Sequence, residues 1–376
     1  MKFSFSGEQE EFRSNLRRFL TDHAPAKEAR RLMETDAGWE RDGWRKLNEA
    51  LGLTAMRIPE AYGGHGFGFG ELGIVLEEMG RALLCGPYFA TAVLATGAIL
   101  NAGTEADKQA LLPDIALGET IATLACAEDS GQWEAAATTL IATPSGGGYR
   151  LDGHKSFVLD GHTADTIVVL GRAPGSSGDE GMSFFTVSGD APGLERRLQK
   201  TMDQTRKLAR LTFNGVEAKL LGEAGAAAAP FARTMLEAAV CLANEMVGGA
   251  ERLREDALAY AKMRMQFGRQ IASFQSMKHK AADMLLEVEL AKSAAYYAAA
   301  ALDDGDADIA AIASLAKACA SDTYTQTAVH AVQIHGGIGF TWDNDTHLWF
   351  KRAKSSEVLF GDAHHHREQM MRHWAA

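Results

Sequence analysis

The residues best suited to chemistry in this sequence lie in an arginine-rich segment, Arg264-Met-Gln-Phe-Gly-Arg-Gln-Ile-Ala-Ser-Phe-Gln275. Gly268 interrupts one long helical pattern, and a second pattern starts at about Ser273. Two arginines, a glutamine and a helix N-terminus in one segment could hold a phosphate by charge-assisted hydrogen bonds and the helix dipole. A plain helix–helix turn with solvated arginines fits the same pattern, and both interpretations stay open.

A second glycine corner, Gln333-Ile-His-Gly-Gly-Ile-Gly339, ends another helical pattern. Three glycines would allow the backbone to approach a ligand closely. A simple helix stop would also explain them.

The sequence Gly68-Phe-Gly-Glu-Leu-Gly73 matches the dinucleotide-binding GxGxxG pattern, but its context is wrong. A functional pattern follows a strand and has an acidic residue about 20 positions later. Here Arg-Ile-Pro-Glu-Ala-Tyr-Gly-Gly precedes it, and residues 86–100 contain no acid. We therefore exclude a nicotinamide site and predict a sharp turn before a helix that starts at Ile74.

Metal and hydrolase chemistry have little support. Residues 364–366 are three consecutive histidines. Neighbouring side chains on a helix point about 100° apart, so these three cannot converge on one metal ion. We therefore predict a polar terminal segment and no metal site. Asp160, His162 and Asp165 have no serine or cysteine nucleophile motif beside them. The four cysteines lack CxxC or zinc spacing, which is typical of a reduced compartment.

The elements that must position these residues fall into three zones. Helical periodicity extends to about residue 117, strand patterns cover 118–222, and helical patterns cover 223–376. Asp152-Gly153 reads as a turn signal, and the alternating run 210–214 ends in Asn-Gly. We predict an α+β protein with an N-terminal helical domain (1–117), a middle β domain (118–222) and a C-terminal helical bundle domain (223–376).

Three long helices are predicted in the last zone. Two of them span about 231–263 and 307–334. The third carries a seam at alternating four- and three-residue steps, which is typical of bundle packing: Met277, Ala281, Met284, Val288, Ala291 and Ala295.

Composition limits the function classes. Apolar residues make up 46% and charged residues 23% of the chain, as in an ordinary globular protein. The net charge of −11 argues against bulk nucleic-acid binding, so an anionic ligand needs a local basic site. No segment approaches the ~20 apolar residues of a membrane span, and we expect a cytoplasmic protein.

Several motifs together resemble the acyl-CoA dehydrogenase flavoprotein family over nearly the whole chain. Arg57-Ile-Pro-Glu-Ala-Tyr-Gly-Gly-His-Gly66 is similar to the family's PE-YGG-G motif. Leu151-Asp-Gly-His-Lys-Ser-Phe-Val158 is similar to its LNG-K-(W/F)-(I/V) strand. The corner at 264–275 resembles RxxFG followed by FQ, and the run 333–337 resembles Q-x-x-GG.

The resemblance implies a middle β-barrel, a C-terminal four-helix bundle and the cofactor FAD. It implies that residues at the two corners bind the adenine and pyrophosphate end of FAD across a subunit interface, and that Phe157 covers the flavin ring. The implied FAD-binding residues are Arg264, Phe267, Gln275, Gln333, Gly336, Gly337 and Phe157. The implied partners are an acyl-CoA substrate, an electron-transferring flavoprotein, and either identical copies or a related subunit in a heterotetramer.

The implied reaction is α,β-dehydrogenation of an acyl-CoA thioester, in which a carboxylate takes the α proton and a hydride goes to flavin N5. The family places its catalytic Glu at one of two positions, which here are Ala238 and Gly361. Glu245 follows Ala238 on the same helix face to within ~20°, although roughly 10 Å further along the axis. We make Glu245 the candidate base, with a structural hydrogen bond or ion pair as the alternative, and expect a bulky or steroid-derived acyl group.

The flavin-facing loop also departs from the family. The motif T-E-P-x-x-G-S-D is Ala127-Glu-Asp-Ser-Gly-Gln-Trp here, and Leu159 replaces another usual hydroxyl residue. These losses suit an alternative function, a non-catalytic partner subunit of a heteromeric acyl-CoA dehydrogenase. A flavin monooxygenase of the same fold is a further hypothesis, which needs open space for oxygen and no acyl-CoA base.

Overall fold

The computed structural model describes residues 5–375. Its α-helices are α1 Gly7–His23, α2 Ala26–Met33, α3 Arg41–Leu51, α4 Phe69–Ala82, α5 Thr96–Ala102, α6 Glu105–Ala116, α7 Ala228–Met263, α8 Gln275–Asp304, α9 Ile309–His335, α10 Thr346–Val358 and α11 Ala363–Ala375. Its strands are β1 Ala122–Ala125, β2 Ile141–Ser145, β3 Gly148–Leu159, β4 Thr166–Arg172, β5 Met182–Ser188, β6 Leu194–Leu198, β7 Leu208–Leu221, β8 Met265–Gln266 and β9 Arg269–Gln270. The predicted order of helices, strands and helices is confirmed.

The chain divides into two compact units by its internal packing. One unit combines the segments up to Arg30, Phe69–Leu84 and the chain from Ala239 onward. The other combines Arg31–Gly68 with Cys85–Ala238 and contains the large sheet. The division falls inside α7, between Ala238 and Ala239.

In the helical unit, α4 and α7 pack with their backbones in close contact. A Cβ atom at Gly80 would lie 1.9 Å from the carbonyl oxygen of Glu245, and one at Gly248 would lie 1.9 Å from that of Glu77. Only glycine permits this approach, because any side chain would overlap the opposite backbone. The consequence is that α4 and α7 are held at a fixed spacing around Glu245.

The predicted turn before Ile74 is wrong, because α4 already begins at Phe69. The backbone N–H groups of Phe69 and Gly70 donate to the Asp303 carboxylate at 2.7 and 3.0 Å. These bonds satisfy two first-turn donors that would otherwise lack partners, so the helix can start earlier than the glycine pattern suggested.

The C-terminal helices agree closely with the sequence patterns. The helix expected at 231–263 begins at Ala228, and the one expected at 307–334 covers Ile309–His335. Four seam residues are fully buried, whereas two near the start of α8 are only half-buried. The buried members are Met284, Val288, Ala291 and Ala295.

The large sheet is mostly antiparallel and closes on itself. The pairs β4–β2, β2–β3, β3–β7 and β7–β5 form a continuous path, and β5 then pairs with β4 from Thr166↔Ser188 to Arg172↔Met182. Strand β1 runs parallel to β4, and β6 pairs with β7. Full closure leaves few open strand edges, which is the physical advantage of a barrel.

Both turn signals read from the sequence are wrong. Asp152 and Asn214 face each other inside the long strands β3 and β7, and Gly215 is the extra residue of a bulge with φ 63°. The Gly215 N–H donates to the Asp152 carboxylate at 2.8 Å. The β2–β3 hairpin instead turns at Gly146 and Gly147, whose φ angles of 58° and 89° fit a tight two-residue turn.

Candidate functional site

The arginine-rich segment forms an exposed corner between α7 and α8. Strands β8 and β9 make a small hairpin whose tip is Phe267 and Gly268, with φ angles of 53° and 76°. Phe267 is 91% exposed, although an apolar ring normally seeks a partner. A bulky residue with positive φ stores backbone strain, and such strain concentrates at functional sites. The hairpin therefore presents Phe267 for contact with another group.

The N-terminus of α8 lies next to this hairpin. Phe274 occupies the cap position without a side-chain hydrogen bond to the first turn. The Arg269 guanidinium stacks on the Phe274 ring at 4.0 Å, and Gln275 is exposed at the first helical position. Unfilled N–H donors and nearby cationic groups favour an anion at this end of the helix.

The second glycine corner lies at the C-terminal end of α9 in the same unit. Gln333 Oε1 accepts a hydrogen bond from Lys280 of α8 at 3.0 Å. A Cβ atom on Gly336 or Gly337 would meet nothing within 4 Å, so both glycines border open space. The structure thus connects the predicted glutamine to the helix that starts at Gln275.

Phe157 lies in the barrel, at a second strained position. Its φ is 58°, and the β3–β7 register shifts between Lys155 and Val158. The Phe157 N–H donates to Gln199 Oε1 at 3.1 Å, which holds the irregular backbone. The bulge turns the ring of Phe157 away from the regular alternation of the strand.

The strand before Phe157 is anchored by a buried ion pair that sequence analysis did not single out. Lys155 is fully buried and its Nζ donates to Glu128 Oε1 and to the Cys126 carbonyl, each at 2.9 Å. Burial opposes charge on Glu128, but Lys155 and a hydrogen bond from Thr139 outweigh it and lower the pKa of that carboxyl. The ionised pair ties the segment after β1 to β3.

A second missed cluster surrounds Asp129. Asp129 accepts hydrogen bonds from Arg210 and from Ser156 Oγ at 2.6 Å, and His154 Nε2 lies 3.1 Å away. The Arg210 and Ser156 hydrogen bonds lower the pKa of Asp129 to about 2. The sequence carried one sign of this cluster: Asp129 stands where the family's loop motif has a proline. The cluster fixes the loop beside Phe157.

The first expected base position contains Ala238, which is fully buried. Its neighbour Glu237 is also buried and accepts hydrogen bonds from Arg57, Arg233 and Asn101 at 2.9, 2.8 and 3.1 Å. Its two oxygens are thus occupied by two guanidinium groups and one amide. Glu237 is therefore unsuited to act as a base.

Glu245, the carboxylate predicted as the base, is buried in an ion pair. Its Oε1 accepts a hydrogen bond from Arg352 Nη1 of α10 at 3.0 Å, and the two side chains are only 7% and 4% exposed. Arg352 also donates to the Leu84 carbonyl at 3.3 Å. This arrangement is the ion pair that the sequence left open as the alternative role. A catalytic role for Glu245 stays a proposal.

The second expected base position, Gly361, lies in a tightly held loop between α10 and α11. Phe360 and Gly361 have φ angles of 61° and 100°. The fully buried Lys317 donates to the carbonyls of Gly361 and Glu357 at 3.0 and 3.2 Å. His366 Nε2 lies 3.1 Å from the Phe360 carbonyl. Two buried side chains therefore fix the backbone of this loop.

The three-histidine run is not simply a polar terminal segment. His366 is buried in α11, and burial, reinforced by the nearby Lys317, lowers its pKa to about 3.

Across residues 5–375 we find no cluster of His, Cys, Asp and Glu side chains arranged to hold a metal ion. In the same part of the chain, no helix has the length and apolar character to cross a membrane.

Comparison with known proteins covers the whole chain. Three profiles match in order: the N-terminal domain of acyl-CoA dehydrogenase at residues 6–119, its middle domain at 123–216 and its C-terminal domain at 224–375. Acyl-CoA dehydrogenase IpdE2 of Mycobacterium tuberculosis is 33% identical over 352 residues, which is 94% of this chain and 92% of the relative.

Comparison with solved structures also finds proteins of the acyl-CoA dehydrogenase type. A variant of the Tcur3481–Tcur3483 steroid ACAD is 31% identical, with a TM-score of 0.87 and 98% of each chain covered. The ChsE4–ChsE5 complex from Mycobacterium tuberculosis is 25% identical, with a TM-score of 0.89 over 100% of this chain and 99% of the other. A structure described as the electron transferring flavoprotein of Acidaminococcus fermentans is 29% identical, with a TM-score of 0.92 and 99% of each chain covered. The chain belongs to the acyl-CoA dehydrogenase family, whose members are FAD-dependent oxidoreductases.

Proposed function

We propose that this chain works in the FAD-dependent α,β-dehydrogenation of a bulky, steroid-derived or alicyclic acyl-CoA thioester. The observation that carries the proposal is the exposed corner between α7 and α8, where the ring of Phe267 is 91% exposed and the cap residue of α8 makes no side-chain hydrogen bond to the first turn. The sequence of this corner resembles the family's RxxFG and FQ motifs, and that resemblance supports a role in binding the adenine and pyrophosphate end of FAD.

The residues at this corner fit the cofactor. A pyrophosphate needs cationic groups and free N–H donors, which Arg264, Arg269 and the first turn of α8 offer. Open space beside Gly336 and Gly337 would admit the cofactor backbone. The residues proposed to bind FAD are Arg264, Phe267, Gln275, Gln333, Gly336, Gly337 and Phe157.

The reaction places separate demands on the chain. Bound FAD supplies the acceptor for the β hydrogen and its electron pair. A thioester α proton is weakly acidic, so the chain or its partner must hold a base against the α carbon. Glu245 stays the carboxylate proposed for this task, although one of its oxygens is held in the ion pair with Arg352.

Relatives support the acyl group and partners that we propose. The similarity to the Tcur3481–Tcur3483 steroid ACAD favours a steroid-derived substrate. The ChsE4–ChsE5 complex favours an assembly that contains a related subunit, with a homo-oligomer as the alternative. The likeness to the Acidaminococcus structure supports an electron-transferring flavoprotein as the electron acceptor. A cytoplasmic location stays a prediction.

A second candidate function is a partner subunit without its own base. Both usual base positions carry residues without a titratable group, Ala238 and Gly361, and Glu245 is committed to Arg352. In this case the corner at 264–275 would complete the FAD site of a subunit that bears the catalytic Glu.

The absorption spectrum of the purified protein tests the cofactor and separates the two candidates. One FAD per chain supports a complete enzyme, and half that load supports a partner subunit. Stopped-flow flavin reduction by butyryl-CoA and cyclohexanecarbonyl-CoA then tests the reaction. A chain that binds no FAD, alone or with a Glu-bearing subunit, would contradict the proposal.

A further inference from the structure

The outer side of α8 carries exposed apolar side chains along the middle of the helix. Leu286 and Leu290 are 61% and 57% exposed, and Ala282 is exposed one turn before Leu286. These three residues follow one another at four-residue steps, so they form a continuous ridge on one side of the helix. Leu285, 44% exposed, lies at the edge of this ridge. Contiguous apolar surface of this kind commonly marks an interaction site.

The ridge is separate from the buried seam of the same helix. Met284, Val288 and Ala291 are fully buried and face the chain's own bundle, whereas the ridge faces away from it. On the neighbouring helix α9, Leu315 is 43% exposed as well. The helix α8 therefore has two apolar faces, and residues 5–375 of a single copy bury only one of them.

Opposite charges lie toward the two ends of the ridge. Lys278 precedes the ridge, is exposed, and pairs with no carboxylate among residues 5–375. Glu289 lies near its other end, is 56% exposed and contacts Lys292 at 3.5 Å. Lys278 and Glu289 stand roughly 16 Å apart along the helix, so they cannot meet within one chain. Asp283, between them, lies toward α9, where its charge acts on His330.

We propose that the outer face of α8 binds the same face of a second copy of this chain, with the two helices antiparallel. A two-fold axis would place each Lys278 opposite the partner's Glu289, whereas a parallel arrangement would bring like charges together. In the antiparallel register, Leu286 lies level, to within one residue, with the partner's Ala282, so large and small side chains interlock. A face that complements itself in this way fits an identical chain as its partner.

This contact goes beyond the proposed function, which leaves open the surface that joins the subunits. It is compatible with a homo-oligomer and with a heterotetramer that contains two copies of this chain.

The test measures the mass of the purified full-length protein in solution by sedimentation velocity. One chain has a mass of 40.4 kDa, and we expect the wild type to contain at least two chains. Leu286→Asp should halve the mass of the assembly, because it places two unpaired carboxylates in the apolar centre of the contact. Leu117→Asp is the control and should leave the mass unchanged, because Leu117 is a comparably exposed leucine, at 66%, outside α8.

A charge swap tests the antiparallel register. Lys278→Glu alone should weaken association about tenfold, because the two-fold axis repeats the new like-charge contact. Combining Lys278→Glu with Glu289→Lys should restore wild-type association, since each pair is regained with its signs reversed. Both positions are exposed, so these variants keep the test decisive if Leu286→Asp fails to fold, as read by circular dichroism.

Several results would overturn the proposal. They are a wild-type chain that stays monomeric, an unchanged mass in folded Leu286→Asp, and a double variant that associates no better than Lys278→Glu. Association only after a related subunit is added would show that this subunit, and not a second copy, covers the face. The FAD content of the same samples tests the proposed function separately, because a chain can lose this contact and still bind the cofactor.

Discussion

Replacing Glu245 by glutamine distinguishes a structural carboxylate from a catalytic one. Glu245 and Arg352 are 7% and 4% exposed and lie 3.0 Å apart, so the substitution leaves a buried guanidinium without its counter-charge. Removing one partner of a buried ion pair costs about 3–5 kcal/mol. Glutamine keeps the shape and one acceptor oxygen, so we expect a loss of about 3 kcal/mol in the free energy of unfolding. For a folding unit of this size, that lowers Tm by roughly 6–12 °C.

The assay measures the Tm of the FAD-loaded variant and compares it with that of a control variant on the same helix. Asp256→Asn breaks an ion pair with Arg252 in which both side chains are about 40% exposed, at 40% and 39%. Exposed pairs contribute only ~0.5 kcal/mol, so the control should unfold near the wild-type temperature. Combining Glu245→Gln with Arg352→Met removes the orphaned charge and should recover part of the stability.

The same variants measured by flavin reduction decide the role of Glu245. If the ion pair is structural, folded Glu245→Gln should reduce flavin within a few-fold of the wild type. A variant with wild-type Tm and a rate about 100-fold lower would refute this reasoning and make Glu245 the base.

Three further predictions follow from single contacts. Arg264→Ala should weaken FAD binding by about 1.5–3 kcal/mol, roughly tenfold or more, because one charge-assisted contact is lost. Titration with FAD measures this affinity, and Arg45→Ala, a substitution at an exposed arginine, is the control. Gly80→Ala should lower Tm strongly, because the new Cβ atom would lie 1.9 Å from the carbonyl oxygen of Glu245. Gly43→Ala is the control and should leave Tm unchanged, because a Cβ atom there meets nothing within 4 Å. Glu128 has a lowered pKa, so its stabilising contribution is complete above about pH 4.3, the ordinary value, and is lost as pH falls through the folded value. The stability gap between wild type and Glu128→Gln should therefore shrink between pH 5 and pH 3 in urea unfolding.

Each of these has a clear contrary result. Unchanged FAD affinity in Arg264→Ala would remove the corner from the cofactor site. A wild-type Tm in Gly80→Ala would mean that α4 and α7 can separate without cost. A stability gap for Glu128→Gln that is constant with pH would mean that Lys155 does not hold this carboxylate ionised.

Local patterns predicted the fold well where one element carries the signal. The seam at Met284, Val288, Ala291 and Ala295 predicted a buried helix face, because side chains three and four residues apart share one side of a helix. The same local reading failed at Asp152-Gly153 and Asn214-Gly215. Those dipeptides resemble hairpin turns in isolation, but the two long strands pair across them and convert the second into a bulge.

The sequence by itself determined the family, the order of helices and strands, the corner at 264–275 and the loss of acidic residues at 238 and 361, because residue type and spacing along the chain carry these features. Only the tertiary structure decided the state of the candidate groups. Glu245 meets Arg352, 107 positions later in the chain, and Lys317 donates to the carbonyl of Gly361. A carboxylate or an imidazole gains its chemical character from the charges and the burial around it. For Glu245 those surroundings come from a residue distant in the sequence, and no local pattern records them.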